Sequence, residues 1–110
     1  SRAFHRAHGT GTMDLEHHTW FVSEVLPDSQ IAVYARIVAR SAKMVHYLMF
    51  MVNETRGLLS STFECINSHA DLKLRRTSPY PDFIAQQIDA IITQHRLLDW
   101  DAPVCGSMEA

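Results

Sequence analysis

Glu16 and His18 are the two side chains in this sequence best spaced to do chemistry together. They are two residues apart in a stretch rich in strand-forming residues, and side chains at that spacing lie on one face of a strand. A carboxylate beside an imidazole can take a proton from a water molecule that attacks a carbonyl carbon. An ion pair or a solvated pair at a strand edge has the same spacing, so the spacing alone leaves both interpretations open.

Trp20 continues the same face of the strand, two residues after His18. Its ring would line an apolar pocket, or contact a quaternary ammonium group by a cation–π interaction. A core aromatic or an aromatic at a subunit interface would show the same pattern. The three alternatives stay open at this point.

The histidines and cysteines do not form a metal-binding pattern, although the chain has seven of the first and two of the second. The neighbours His17 and His18 point to opposite faces of a strand and cannot chelate one ion from it. Cys65 and Cys105 form no C-x-x-C pair. We therefore expect no metal and no cofactor, a buried Cys65 in a strand, a Cys105 in the tail, and no disulfide between them. This cysteine usage is typical of a cytoplasmic protein.

The composition indicates one small folded domain. The chain has 110 residues, of which 46% are hydrophobic and 20% charged, with a formal net charge of −2. These values exclude a disordered tail and argue against a nucleic-acid partner, which usually requires a basic patch. No apolar run approaches the roughly 18 residues of a membrane span, so no membrane partner is expected.

The pattern of apolar residues predicts an α+β domain: an antiparallel sheet with a C-terminal helix. We expect residues 1–14 to form a helix end and a loop, with a break at Gly9–Thr12. Short connections predict four strands joined as a meander over residues 15–71. A basic linker (72–80), an amphipathic helix (81–98) and a tail (99–110) would follow, with Trp100 anchoring the exit of the helix and residues 102–110 frayed. The predicted buried stripe of the helix is Ile84, Ile88, Ile91, Ile92, His95 and Leu98.

Three short motifs in order resemble one family. Leu15, Glu16, His18, Glu24 and Val25 are similar to the second-strand motif of hot-dog-fold acyl-CoA thioesterases, in the branch related to 4-hydroxybenzoyl-CoA thioesterase. That branch includes betainyl-CoA thioesterase and the thioesterase-like domain of carnitine dehydrogenase fusions. The later motifs are Ser68-His69-Ala70-Asp71 and Ser78-Pro79-Tyr80-Pro81.

The resemblance implies hydrolysis of an acyl-CoA thioester without a metal, in a homodimer or larger homo-oligomer. Coenzyme A would enter only as part of the substrate. Glu16 and His18 would be catalytic. The substrate-binding residues would be Trp20, His69, Arg75 and Arg76, the two arginines through the phosphates of coenzyme A. A solvated basic cluster is the plainer interpretation of the arginines. The sequence has no G-x-S-x-G, so a serine-dependent α/β-hydrolase is not expected.

The sequence departs from the family before Leu15. In the family a first strand and a long central helix come before the matched region, and a catalytic acid lies in a segment like D-x-x-G-H. Nothing before Leu15 matches it, so we expect part of the hot-dog domain to be missing from this sequence. A non-catalytic hot-dog domain that binds an acyl ligand or a partner subunit is therefore one alternative. An unrelated α+β interaction domain is another.

Overall fold

A computed structural model describes residues 9–110, which form a sheet and one helix. The elements are β1 (Thr10–Phe21), β2 (Ile31–Arg40), β3 (Met44–Asn53), β4 (Leu58–Asp71), β5 (Arg76–Thr77) and α1 (Asp82–His95). The predicted α+β class, an antiparallel sheet followed by a C-terminal helix, is confirmed. The helix end predicted for residues 1–8 lies outside the described residues.

The strand order is β1-β4-β3-β2, and β5 also pairs with β4. Strands β2, β3 and β4 form the predicted meander, but the prediction that β1 continues it was wrong. β1 runs along β4, from Thr10 opposite Asp71 to Phe21 opposite Ser61. The connection at residues 22–30 allows this crossing, because its nine residues can reach about 30 Å and three strand spacings are only about 14 Å.

The first strand begins earlier than the sequence predicts. Thr10, Gly11 and Thr12, predicted as a loop, pair with Asp71, Ala70 and His69 of β4. The hydrogen bonds of the ladder outweigh the low strand propensity of a single glycine.

The predicted linker at residues 72–80 contains β5, which folds back on β4 as a tight hairpin with Asp71 opposite Arg76. The Asp71 carboxylate accepts hydrogen bonds from the N–H groups of Lys73 (2.8 Å) and Leu74 (3.0 Å). These hydrogen bonds, of which the one from Leu74 has the larger effect, hold the pKa of Asp71 below its ordinary value. The linker prediction was wrong because a side chain closes this turn locally.

Helix α1 packs on strand β2, at the edge of the sheet. The prediction of a buried stripe on the helix is confirmed at Ile92, which is 5% exposed. Ile91 and Leu98 were wrongly assigned to the stripe and are exposed. Leu98 lies beyond the last helical residue, His95. No helix among residues 9–110 is long and apolar enough to cross a membrane.

Two polar contacts fix the helix to β2. The Arg40 guanidinium donates to both carboxylate oxygens of Asp89, at 2.6 and 2.8 Å. This contact lowers the pKa of Asp89. The backbone N–H of Ile37 donates to Nδ1 of His95 at 2.9 Å, so that nitrogen carries no proton in this arrangement.

The sheet has two faces with different residues, here called the front face and the back face. The front face carries Glu16 on β1, Glu64 on β4 and His46 on β3, and the back face carries Asp14 and Cys65. Leu15 is an extra residue in β1, because Asp14 lies opposite Asn67 while Glu16 lies opposite the next residue of β4, Ile66. This bulge puts Asp14 and Glu16 on opposite faces.

In the C-terminal segment (residues 99–110) Trp100 is anchored, as predicted, but the prediction that residues 102–110 are frayed was wrong. Arg36 on β2 donates to the carbonyl oxygen of Trp100 at 2.7 Å, and its guanidinium lies 4.4 Å from the centre of the Trp100 ring. The N–H of Cys105 donates to the Glu64 carboxylate at 2.7 Å. The segment therefore lies across the front face. Sequence periodicity could not show this, because the segment has no regular secondary structure.

Candidate active site on the front face

The strand β1 places Glu16, His18 and Trp20 together on the front face, as their spacing predicts. All three side chains are exposed, Trp20 to 63%. The rings of His18 and Trp20 meet edge to face with centroids 5.9 Å apart. The result is an open row consisting of a carboxylate, an imidazole and an indole along the outer strand of the sheet.

His17 points away from this row. Its ring stacks on Phe63 on the back face, with centroids 5.4 Å apart. The two neighbouring histidines thus lie on opposite sides of the sheet, which prevents them from binding one ion. Among residues 9–110 no group of three His, Cys, Asp or Glu side chains is arranged to hold a metal ion.

A buried hydrogen-bonded pair, His46 and Glu64, lies on the front face next to the predicted site, and the sequence analysis did not find it. Nε2 of His46 is 2.6 Å from a carboxylate oxygen of Glu64. The other oxygen of Glu64 accepts the hydrogen bond from Cys105. Both residues are buried, His46 at 5% exposure and Glu64 at 3%. The two residues belong to different strands, so no local pattern in the sequence indicates the pair.

The register connects this buried pair to the exposed row. Four residues on adjacent strands lie directly opposite one another: His18, Glu64, Leu48 and Arg36. The neighbouring cross-strand row contains Glu16 and His46, with Ile66 between them. Residues opposite one another in a sheet have neighbouring side chains on the same face. Two carboxylates and two imidazoles therefore share one region of the front face.

His69 does not join this group, although the resemblance places it in the substrate site. It lies on β4 opposite Thr12, on the back face, and is 3% exposed. Its Nδ1 is 3.0 Å from the hydroxyl oxygen of Ser78, and its ring lies against Tyr80 with centroids 5.1 Å apart. The second and third motifs of the sequence are thus in direct contact with each other and separate from the first.

Arg75 and Arg76 lie in the hairpin between β4 and α1, where both side chains are exposed. Arg75 occupies the turn with a φ of 59°, in the left-handed region. Both guanidinium groups are therefore accessible to an anionic ligand. Among residues 9–110 neither arginine forms a hydrogen bond or an ion pair with Glu16.

The back face holds a second polar cluster around Cys65, which is completely buried. One carboxylate oxygen of Asp14 accepts from Asn67 at 2.7 Å and from the Cys65 thiol at 3.4 Å. Burial raises the pKa of both Cys65 and the neighbouring Tyr47. A thiol with a raised pKa is a poor nucleophile, so this cluster reads as structural. The prediction that Cys65 is buried in a strand is confirmed, and the structure has both cysteines as free thiols.

The sequence profile of the Thioesterase-like superfamily matches residues 1–88. The chain belongs to this superfamily. The matched region contains all five strands and the first half of α1, and therefore the whole of the exposed row on β1. No curated protein is significantly similar to the chain in sequence.

Solved structures of similar fold include proteins connected with thioesterases or with CoA. A hypothetical protein from Staphylococcus aureus in complex with CoA has a TM-score of 0.79 and 21% identity, over 98% of this chain and 74% of its own. A candidate thioesterase from Pseudomonas putida has a TM-score of 0.73 and 17% identity, over 90% of this chain and 61% of its own. A Thermus thermophilus thioesterase complexed with coenzyme A and Zn has a TM-score of 0.68 and 13% identity, over 84% of this chain and 66% of its own.

At these identities the similarity shows the fold, which is the hot-dog fold of the Thioesterase-like superfamily. The chain spans 74%, 61% and 66% of the three proteins, respectively. Within residues 9–110 the structure has no enclosed pocket. The front face brings two carboxylates and two imidazoles together.

Proposed function

We propose that this protein hydrolyses an acyl-CoA thioester, with the front face of the sheet contributing the catalytic groups. The observation that carries the proposal is the match of residues 1–88 to the Thioesterase-like superfamily. Two of the similar structures contain CoA, which supports an acyl-CoA as the substrate class. The first motif, with Leu15, Glu16 and His18, supports the 4-hydroxybenzoyl-CoA thioesterase-like branch as a finer proposal.

In the proposed mechanism Glu16 is the general base. Its exposed carboxylate takes a proton from a water molecule as the water oxygen attacks the thioester carbonyl. The tetrahedral intermediate collapses by cleavage of the carbon–sulfur bond, and the sulfur leaves as the thiolate of CoA. His18 lies two residues further along the strand, about 6.8 Å away, which leaves room for one water between the two side chains. This route needs neither a metal nor a covalent serine intermediate.

The proposed substrate contacts follow from exposure. Trp20 presents a free aromatic surface beside His18, suited to the acyl part of the substrate. Arg75 and Arg76 are exposed cations suited to the phosphates of coenzyme A. A KM for acyl-CoA that rises with salt in the unmodified protein and rises less in the Arg75→Ala/Arg76→Ala variant would support this role. The same salt dependence in both proteins would exclude it.

A homodimer or larger homo-oligomer is part of the proposal. Strand β1 ends the sheet within the described residues, so its outer edge has no neighbouring strand there. Phe21 at the end of β1 is 83% exposed. The part of this edge around Trp20 and Phe21, with two exposed aromatics, is suited to pairing with a second copy. Light scattering should give at least twice the mass of one chain, and a monomer at micromolar concentration would exclude the dimer.

The decisive test of the proposed function is Glu16→Ala in an assay of a small acyl-CoA panel. Loss of a general base should lower turnover at least tenfold while the circular dichroism spectrum stays unchanged. Glu54→Ala, an exposed carboxylate in the β3–β4 turn, is the matched control and should keep full activity. CoA release is best followed by mass spectrometry, because the protein has two free thiols of its own.

Full activity in Glu16→Ala would exclude the proposed base. Absence of hydrolysis by the unmodified protein across the panel would instead favour the alternative, a non-catalytic hot-dog domain that binds an acyl ligand or a partner subunit.

A further inference from the structure

The C-terminal segment follows one cross-strand row of the front face. It is bonded to Arg36 on β2 through the carbonyl of Trp100 and to Glu64 on β4 through the N–H of Cys105. Arg36 and Glu64 belong to the same row, with Leu48 between them. The segment therefore crosses about 10 Å of the sheet, from β2 over β3 to β4.

The same row continues from Glu64 to His18 on β1. The next strand is only about 5 Å beyond Glu64, so the path of the segment leads toward the proposed catalytic row. The chain turns shortly after Cys105, at Gly106, whose φ of 84° favours glycine. Met108, two residues later, is 7% exposed and is therefore one of the few buried apolar residues of the domain.

The surface beneath the segment is apolar between its two polar anchors. Leu48 is 1% exposed, and the ring of Trp100 meets Phe50 edge to face with centroids 5.7 Å apart. Trp100 thus occupies an apolar strip on β3, on the same face as the groups proposed to act on the thioester and two strand spacings, about 10 Å, from β1. The segment does not bury itself fully on this surface, since Val104 and Trp100 are 41% and 43% exposed.

We propose that this strip of the front face, lined by Leu48 and Phe50, is the binding site for an apolar acyl chain, and that the C-terminal segment is a displaceable strap that covers it. The hydrogen bond from Cys105 N–H to Glu64 is the latch of the strap. The proposal rests on the proposed function, because it assigns the far end of the same acyl chain, beyond Trp20, to this strip; Trp20 and Phe50 lie opposite Thr62 from either side, in one cross-strand row.

The buried pair explains why the latch is at Glu64. His46 fixes one carboxylate oxygen of Glu64 and leaves the other directed at the strap. A hydrogen bond to a carboxylate is stronger than one between neutral groups, so one backbone N–H can hold a segment with few other polar contacts. When an acyl chain takes the place of Trp100 on the strip, the latch has to open.

The variant Cys105→Pro tests the latch directly, because proline has no N–H to donate. Glu64 and His46 remain unchanged, and the substitution lies outside the sheet and the helix. Cys105→Ala is the matched control, since it removes the same thiol and keeps the N–H. Hydrogen exchange of residues 99–110 reports the strap without any need for activity. Affinity for a thioether analogue of decanoyl-CoA, compared with that for CoA alone, reports the strip.

We expect Cys105→Pro to raise amide exchange in residues 99–110 at least tenfold and to tighten binding of the decyl thioether at least threefold, with binding of CoA unchanged. Cys105→Ala should behave as the unmodified protein. Equal exchange in the two variants would overturn the latch, and unchanged or lost binding of the thioether in Cys105→Pro would overturn the strap over an acyl site. Hydrolysis of the acyl-CoA panel decides the proposed function separately, because neither readout requires turnover.

Discussion

Removing the carboxylate of Glu64 should be among the most destabilising single changes in this domain. In Glu64→Ala both partners of the carboxylate, Nε2 of His46 and the N–H of Cys105, lose their acceptor. Each buried polar group left without a partner costs about 1–3 kcal/mol, and breaking a buried pair by deleting one member costs about 3–5 kcal/mol. We expect a loss of about 4 kcal/mol out of a total stability of about 5–15 kcal/mol.

Urea unfolding followed by circular dichroism measures this loss. With an m-value of about 2 kcal/mol/M, a loss of about 4 kcal/mol lowers the midpoint by about 2 M. Glu16→Ala is the matched control, because it is the same substitution on the same face at an exposed position, and it should change stability by less than about 0.5 kcal/mol. Glu64→Gln keeps the volume and one oxygen acceptor and should lose less than Glu64→Ala.

A Glu64→Ala midpoint within about 0.5 M of the unmodified protein would refute the reasoning. So would equal losses in Glu64→Ala and Glu16→Ala, because the argument depends on the difference in burial between the two carboxylates.

Two further predictions concern the groups whose pKa the fold shifts. Because Arg40 lowers the pKa of Asp89, the pair stabilises the protein fully above the ordinary carboxyl pKa of about 3.9, and this stabilisation disappears as the pH falls through the lowered value. The stability difference between the unmodified protein and Asp89→Asn should thus be constant from pH 5 to 7 and vanish in strong acid; a difference that persists there would contradict it. Because Cys65 is completely buried and its pKa is raised, iodoacetamide should modify only Cys105 in the native protein and both thiols in denaturant, as counted by mass spectrometry. Native modification of Cys65 would show that the sheet opens there.

The sequence predicts local features of this protein well. The alternation of β1 places Glu16, His18 and Trp20 on one face, and the structure has them there. The amphipathic helix and the antiparallel class follow from patterns within single elements. These features depend on neighbours in sequence, which is why a single chain reveals them.

The features that the sequence did not reveal all depend on long-range pairing. The strand β1 lies beside β4 rather than β2, and this places His18 opposite Glu64. The buried pair of His46 and Glu64 joins two strands, and its third partner, Cys105, comes from a segment without periodicity. In the sequence His46 lies within a nearly continuous apolar run, where a buried hydrogen-bonded histidine has no local signature.

The bulge at Leu15 means that residue count, rather than residue type, decides which side of the sheet each acid of β1 serves. Asp14 reaches Cys65 and Asn67, while Glu16 lies on the face of His46, because Leu15 between them is left out of the ladder. Deleting Leu15 makes Asp14 and Glu16 adjacent, and adjacent residues of a regular strand point to opposite faces, so both acids keep their faces and their partners on β4. Deleting His17 instead makes Glu16 and His18 adjacent and sends them to opposite faces. In this strand the position of a one-residue deletion therefore decides its effect: at the bulge the proposed active site is kept, and at His17 it is divided although both catalytic side chains remain in the sequence.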